Sequence, residues 1–128
     1  MIQSFRDLLV WQKSMDLATA IYRLTQRFPQ NEVYGMVSQR RRCAVSIPSN
    51  IAEGHGRLSI GEYRQFLGIA RASNFELQTQ LDIARRLDFG EIAEIDEAEC
   101  LSHEVGKMIY SILEKTKGSR PPSRSTIV

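Results

Sequence analysis

The chain has 128 residues, of which 42% are hydrophobic and 25% charged, a composition typical of one globular domain that folds without disulfides or metals. No apolar run approaches the roughly 20 residues that span a bilayer, and Arg6 and Asp7 interrupt the region where a signal peptide is apolar, so we expect a cytoplasmic protein without membrane contact. The formal net charge is +2, but the basic residues after Glu114 have no acidic counterpart, so the positive excess belongs to the C-terminal tail.

The first predicted helix begins after Ser4, which can cap it, with Asp7 favouring the positive helix start. Its apolar residues form two adjacent stripes at three- and four-residue spacing. One stripe holds Leu8, Trp11, Met15, Ala18, Tyr22 and Thr25, and the other holds Leu17, Ile21, Leu24 and Phe28. Pro29 ends the segment, because the residue before a proline is disfavoured in helical conformation.

The second predicted helix runs from a cap at Asn31 to Gly54. Its core stripe is Val37, Ala44, Ile47 and Ile51. Pro48 lies inside this pattern, where it removes a backbone donor and clashes with the preceding turn, so we expect a kink at Pro48.

A row of polar side chains follows the same spacing on a neighbouring flank of the second helix. This polar ladder either faces water or packs against another helix or subunit. The candidates for a structural ladder or subunit interface are Gln39, Arg41, Arg42, Ser46, Asn50 and Glu53. Arg40, Arg41 and Arg42 span nearly a full turn, so at least one is expected to reach the interior or an interface. We expect Arg42 to pair with Glu53 or Glu76, in this chain or the next.

Glycine, serine and glutamate mark the turn into the third helix. Gly54 and Gly56 are expected to supply the left-handed backbone of a helix end, and Ser59 with Glu62 has the pattern of a capping box. The core stripe of the third helix is Tyr63, Phe66, Leu67, Ala70, Leu77, Leu81 and Ala84. Gly68 and Ala72 present a flat patch where another helix could approach closely.

The fourth predicted helix follows a turn at residues 88–90, and its acidic start, 91–99, suits the positive helix terminus. Its apolar side holds Ile95, Leu101, Val105, Met108, Ile109, Ile112 and Leu113. Four amphipathic segments with short connections predict an all-α, up-down-up-down antiparallel four-helix bundle, kinked at Pro48, over residues 1–117. Residues 118–128 hold two prolines and little to bury, and predict a disordered basic tail.

Residues for catalysis or metal binding are not recognisable. His55 and His103 have no nucleophile or oxyanion donors beside them. Cys43 and Cys100 are far apart and belong to no Cys/His cluster, so both are expected to be small buried side chains. We therefore expect no enzyme, no cofactor and no metal.

The arginines are the remaining functional candidates. A surface that follows a phosphate backbone could be formed by Arg40, Arg57, Arg64, Arg71, Arg85 and Arg86. The alternative is an ordinary solvated face, since the body of the chain is slightly acidic. Oligomerisation would favour the first interpretation, because a ring repeats each patch and concentrates charge of one sign.

Four separated runs carry a family resemblance: FRDLLVWQ, FPQNEVYGM, SQRRRCAVSIPSNIAEGHGR and IARASNFELQTQL. In this order and spacing they resemble the small bacterial "four helix bundle protein" family, first found encoded in intervening sequences within 23S ribosomal RNA genes. The chain departs from that family at Met36, Arg40 and Cys43, where the family usually has leucine, an apolar or small residue, and alanine.

The resemblance implies a bundle that assembles into a ring-like homopentamer. Its link to ribosomal RNA genes favours binding of structured RNA or DNA, with the physiological role unknown. The family also resembles the accessory variability determinant of diversity-generating retroelements, a basic pentameric bundle that works with a reverse transcriptase. A protein-interaction scaffold, or an accessory subunit of such a nucleic-acid enzyme, is therefore the alternative.

Overall fold

The computed structural model describes residues 2–118, and within residues 32–34 it describes the backbone alone. Four α-helices form most of this part of the chain, which contains no strand. They are α1 (Leu9–Thr25), α2 (Ser38–His55), α3 (Ile60–Arg86) and α4 (Ile92–Thr116). Helix α1 packs against α2 and α4, and α3 packs against the same two helices. The predicted all-α four-helix bundle is confirmed.

The core lies along the bundle axis and is built from one stripe of each helix. The stripes of α2 and α3 contribute the residues that the sequence predicts, while Tyr63 and Phe66 are half-buried. In α1 the Leu17 stripe is buried throughout, whereas Met15 and Tyr22 from the other stripe are exposed. The buried line of α1 instead continues through Val10 and Ser14, at the same helical spacing.

The start of α2 differs from the prediction. Asn31 lies in a short 3-10 helix, Gln30–Glu32, which is followed by a π-helical turn, Val33–Val37, before the α-helix begins. The prediction that Asn31 caps α2 is therefore wrong. Glycine weakens an α-helix, and Gly35 lies in this segment, so local propensity does not dictate an α-helix here. Helix α2 then passes through the buried Pro48 without a break, and the kink itself stays a prediction.

The α2–α3 connection uses its glycines in an unexpected way. Gly56 has a φ of −79° and Gly54 lies inside α2, so the predicted left-handed backbone is wrong. A β-carbon on Gly54 would lie 2.7 Å from the Cβ of Phe66, so α2 and α3 approach each other closely at Gly54. Gly68 was expected to play that part, but nothing lies within 4 Å of its hypothetical β-carbon. Ser59 caps α3 as predicted, accepting from the Glu62 amide at 3.1 Å.

The turn into α4 contains the left-handed residues Asp88 and Gly90, with φ of 58° and 86°. A β-carbon on Gly90 would lie 2.6 Å from Leu24 Cδ1, so the backbone conformation favours glycine and a larger residue would also have to displace the Leu24 side chain. Helix α4 begins with the acidic residues that were predicted, and Ile95, Val105 and Ile109 are buried. The predicted tail from residue 119 onward lies outside the described residues.

Candidate nucleic-acid interface

One line of α3 faces α4 at intervals of seven residues. Two turns of an α-helix bring a side chain back to nearly the same direction, so Arg64, Arg71, Gln78 and Arg85 point along one flank. Gln78 donates to Ser102 Oγ at 2.8 Å, and the two terminal arginines also reach α4. The three arginines of this line were placed in one phosphate-binding surface from the sequence. In the structure they have different environments.

Arg64 and Arg85 are used by the fold. The Arg64 guanidinium donates to the Leu113 carbonyl and to Thr116 Oγ1, and so satisfies polar groups in the last turn of α4. Arg85 forms ion pairs with Asp96 at 3.0 Å and Glu99 at 2.9 Å. The hydrogen bond that Arg85 donates to the Asp96 carboxylate raises the Arg85 pKa above its usual value. Both guanidinium groups already have acceptors, so these two predicted contacts with nucleic acid are not supported by the geometry.

Arg71 and Arg86 remain exposed. The Arg71 guanidinium lies over the Phe75 ring, 5.2 Å from its centroid, and neither arginine forms an ion pair with the residues described. Arg57, just before α3, is also exposed and lies 3.6 Å from Glu53. These three arginines are the members of the predicted set that can reach a ligand.

Arg40 corrects the sequence interpretation most strongly. Its side chain is fully buried, at 0% exposure, and is the largest such side chain in the described core. The guanidinium donates to the Met36 and Gln80 carbonyls and lies 5.2 Å from the Phe28 ring centroid. Arg40 therefore cannot contact nucleic acid in this fold. The expectation that one of the three consecutive arginines reaches the interior is confirmed.

The other two arginines of the triplet lie at the bundle surface. Arg41 donates to Thr25 Oγ1 at 2.9 Å and to the Tyr22 carbonyl at 3.4 Å, so it binds the last turn of α1. Arg42 is exposed and donates to the side chain of Gln39. It forms no ion pair with Glu53 or Glu76 of the same chain among the described side chains, so that part of the prediction is wrong. Pairing with a carboxylate of the next subunit stays a prediction.

The polar ladder divides into an inner and an outer part. The Ser46 hydroxyl lies 2.9 Å from the Ser73 hydroxyl of α3 and so joins α2 to α3. Asn50 donates to the Ser46 carbonyl at 2.8 Å, within α2. Gln39, Arg42 and Glu53 form the outer part and are exposed.

Two further groups bear on reactivity. Cys43 is buried between α2 and α3, and this burial, with the nearby Glu76 carboxylate, raises its pKa to about 11. Cys100 is exposed on α4, so the expectation that it is buried is wrong. His55 packs edge-on to Tyr63, whose pKa is raised by burial.

The sequence interpretation missed the aromatic residues of the α3–α4 side. Phe75 and Tyr110 are 51% and 55% exposed, and neither of them was assigned to a core stripe or to a surface site from the sequence. The four-residue interval between Arg71 and Phe75 was the available signal, since it places both on one helix face.

Two other kinds of site are absent from the described part of the chain. Among the side chains that the structure describes, no group of three or more His, Cys, Asp or Glu residues is arranged to hold a metal ion. Within residues 2–118, no helix combines the length and the hydrophobicity needed to cross a membrane.

Comparisons with known proteins place the chain in a family. The sequence profile of the 23S rRNA-intervening sequence protein family matches residues 6–111. A protein of unknown function from the S23 ribosomal protein family of Bacteroides thetaiotaomicron has a similar crystal structure. The two share 27% identity with a TM-score of 0.75, over 83% of this chain and 99% of that one. No protein of curated function matches the sequence. Because the profile covers most of its length, the chain belongs to the 23S rRNA-intervening sequence protein family.

Proposed function

We propose that the protein is a cytoplasmic, non-enzymatic homopentamer that binds structured RNA or DNA through arginines on the outward face of α3. The observation that carries this proposal is that Arg71 and Arg86 stay exposed on α3 without an acidic partner in the described chain. Arg57 adds a third cation where α3 begins. Exposed arginines of this kind bind phosphates, and phosphate contacts supply most of the affinity of a sequence-independent binder. The family's connection with 23S rRNA intervening sequences favours the same class of ligand.

Assembly is supported by the edge of the bundle between α2 and α3. Ile69 and Ile83 of α3 are 48% and 43% exposed and are two heptads apart, so they lie along one line of the helix. The outer polar ladder, with Arg42 and Glu53, borders this line from α2. An apolar line flanked by charged groups is suited to a subunit interface. A ring would repeat the α3 arginines around its axis and raise the local potential above that of one copy.

Native mass spectrometry of the protein, purified without nuclease, tests both parts of the proposal. A species near 73 kDa, five times the 14.6 kDa chain, together with heterogeneous nucleic-acid mass, is the expected result. A clean monomer would contradict assembly and remove the subunit-interface role of the outer polar ladder.

Binding is measured by fluorescence anisotropy of labelled RNA at several salt concentrations. Replacing Arg57, Arg71 and Arg86 together with glutamine should weaken binding and reduce the slope of log K against log salt by about 2 to 3 for each protomer engaged. Arg64 is left intact, because its replacement would also disturb the end of α4.

The matched control removes the same charge elsewhere. Glutamine at Arg6, Arg23 and Lys115, all exposed and outside the α3 face, should change the salt slope much less. Equal losses in the two triple variants would show that net charge alone attracts the RNA, and would refute a role for the α3 arginines.

A protein-interaction scaffold, including an accessory subunit of a reverse transcriptase, is the second candidate. The exposed apolar line at Ile69 and Ile83 favours it, because such a line also suits a protein partner. A pentamer that carries no nucleic acid and binds none in the anisotropy assay would support the scaffold over the first proposal.

A further inference from the structure

The centre of the α3–α4 face differs from both of its ends. At one end Arg64 is bonded to the last turn of α4, and at the other end Arg85 is paired with Asp96 and Glu99. Arg71 occupies the same heptad line between them, yet it remains exposed. The antiparallel register set by Arg64 with Thr116 and by Asn74 with Ser102 places residues 68–75 beside residues 103–110.

These two facing stretches contain cations and aromatic rings but almost no acid. The single carboxylate in them, Glu104, lies 3.6 Å from Lys13 of α1 and thus belongs to the opposite flank of α4. Lys107 of α4 is exposed and, like Arg71, forms no ion pair with any described residue. The centre of this face therefore carries uncompensated positive charge.

Two exposed rings lie within the same region. Phe75 and Tyr110 are more than half exposed, and the register separates them by about 10 Å along the helix axis. Arg71 lies over one face of Phe75. Gly68 and Gly106 have no side chain, so neither projects from the surface between the rings. Nothing lies within 4 Å of a β-carbon built on Gly68.

Exposed rings next to unpaired cations are the combination that binds single-stranded nucleic acid. Bases stack on aromatic faces or on arginine planes, while cations hold the phosphates. A duplex keeps its bases stacked inside and offers little to such rings. The separation of the rings corresponds to about three nucleotides at roughly 3.4 Å each.

We infer that Arg71, Phe75, Lys107 and Tyr110 form a site for an unpaired segment of RNA or DNA, which stacks on the two rings. This inference rests on the proposed function and narrows its ligand from structured nucleic acid in general to the unpaired parts of it. The assembly edge at Ile69 and Ile83 lies on the α2 side of α3, so the ring can form while this site stays open.

Anisotropy with a labelled 20-nucleotide single strand, and with the duplex of the same sequence, tests the inference. The single strand should bind more tightly than the duplex. Loss of one stacked base corresponds to a 5- to 150-fold weaker affinity, and Phe75→Leu should lose single-strand affinity within about that range while duplex affinity changes little. Leu9→Ala, an exposed apolar truncation on α1 outside both this site and the assembly edge, is the matched control and should leave both affinities unchanged.

Photocross-linking gives a second measurement that does not depend on affinity. A single strand containing 4-thiouridine should cross-link to the tryptic peptides 72–85 and 108–115, which contain Phe75 and Tyr110. Cross-links confined to other peptides would overturn the inference even if binding is tight.

The outcomes separate the inference from the proposed function. Binding of duplex and single strand with equal affinity, both insensitive to Phe75→Leu, would overturn the stacking site and leave the proposed function standing. Absence of binding to either ligand would overturn both. Dissociation of the assembly by Phe75→Leu, seen by native mass spectrometry, would show that a second copy covers this face and would also overturn the inference.

Discussion

Two glycine substitutions should change stability in opposite directions. Gly54→Ala introduces a β-carbon 2.7 Å from the Cβ of Phe66 and 3.1 Å from Tyr63 Cδ1. Carbon atoms pack best at about 3.5 to 4.0 Å, so α2 and α3 must separate locally by roughly 1 Å. The Phe66 atom is attached directly to the backbone, so a side-chain rotation cannot relieve the contact.

The expected cost follows from two opposing terms. Overpacking a core contact costs about 1 to 3 kcal/mol, while alanine in place of glycine in a helix returns up to about 1 kcal/mol. Gly54→Ala should therefore destabilise the fold by about 0.5 to 2 kcal/mol. Gly68→Ala brings the same gain in helix propensity, but its β-carbon would meet no other atom within 4 Å. It should therefore stabilise the fold by about 0.5 to 1 kcal/mol.

Urea denaturation followed by circular dichroism measures both variants. They are compared with the parent at one protomer concentration, since assembly makes apparent stability depend on concentration. An unchanged m-value with a lower midpoint for Gly54→Ala and a higher one for Gly68→Ala is the expected pattern. A Gly54→Ala variant as stable as the parent would refute the close approach of α2 and α3. A destabilised Gly68→Ala would show instead that another subunit approaches α3 there.

Four more predictions concern individual side chains. Arg40→Ala should lower the free energy of unfolding in urea by about 3 to 5 kcal/mol, since it leaves a cavity and removes the guanidinium's hydrogen bonds to two carbonyls. Arg86→Ala should change it by no more than about 0.5 kcal/mol, and similar values for the two variants would contradict burial of Arg40. At pH 8 a maleimide should modify Cys100 and spare Cys43 in the folded protein, and rapid labelling of both would disprove burial of Cys43. Since the Cys43 pKa is raised to about 11 from 9.0, the folded state retains this proton longer than the unfolded state, so stability should fall between pH 9 and 11, and less so in Cys43→Ala. Ser59→Ala removes the cap of α3 and should lower stability by about 1 kcal/mol, measured by thermal unfolding; no change would mean that water replaces the hydroxyl.

Much of the fold could be predicted because it depends on local periodicity. The spacing of apolar residues identified the buried stripes of α2, α3 and α4, and Ser59 was recognised as a cap from its own neighbours. In α1 the sequence shows two adjacent apolar stripes. Nothing in the local sequence indicates that the stripe of Leu17 is buried more deeply than that of Met15. The choice is made by α2 and α4, which cover one stripe and leave part of the other exposed.

Features that depend on distant residues could not be predicted. Gly54 and Gly68 look equivalent in sequence, but only Gly54 meets another helix, and its partner Phe66 lies across a turn. The start of α2 is another such case, since Asn31 has the chemistry of a cap while the chain around it forms 3-10 and π turns instead.

The arginines show why a count of charges is a poor guide to a binding surface. Arg40, Arg64 and Arg85 each have acceptors in the fold, because each reaches carbonyl, hydroxyl or carboxylate oxygens of the residues packed around it. Arg71 lies on the same heptad line as Arg64 and Arg85 but has no acceptor on α4. The residues of α4 beside Arg71 are a glycine and a lysine, whereas Arg64 meets a carbonyl and Arg85 meets carboxylates. A functional arginine in this bundle is thus distinguished by the residues that lie opposite it on the adjacent helix. Which residues face each other depends on the register between α3 and α4. That register is seen in the structure and cannot be deduced from the sequence of α3 alone.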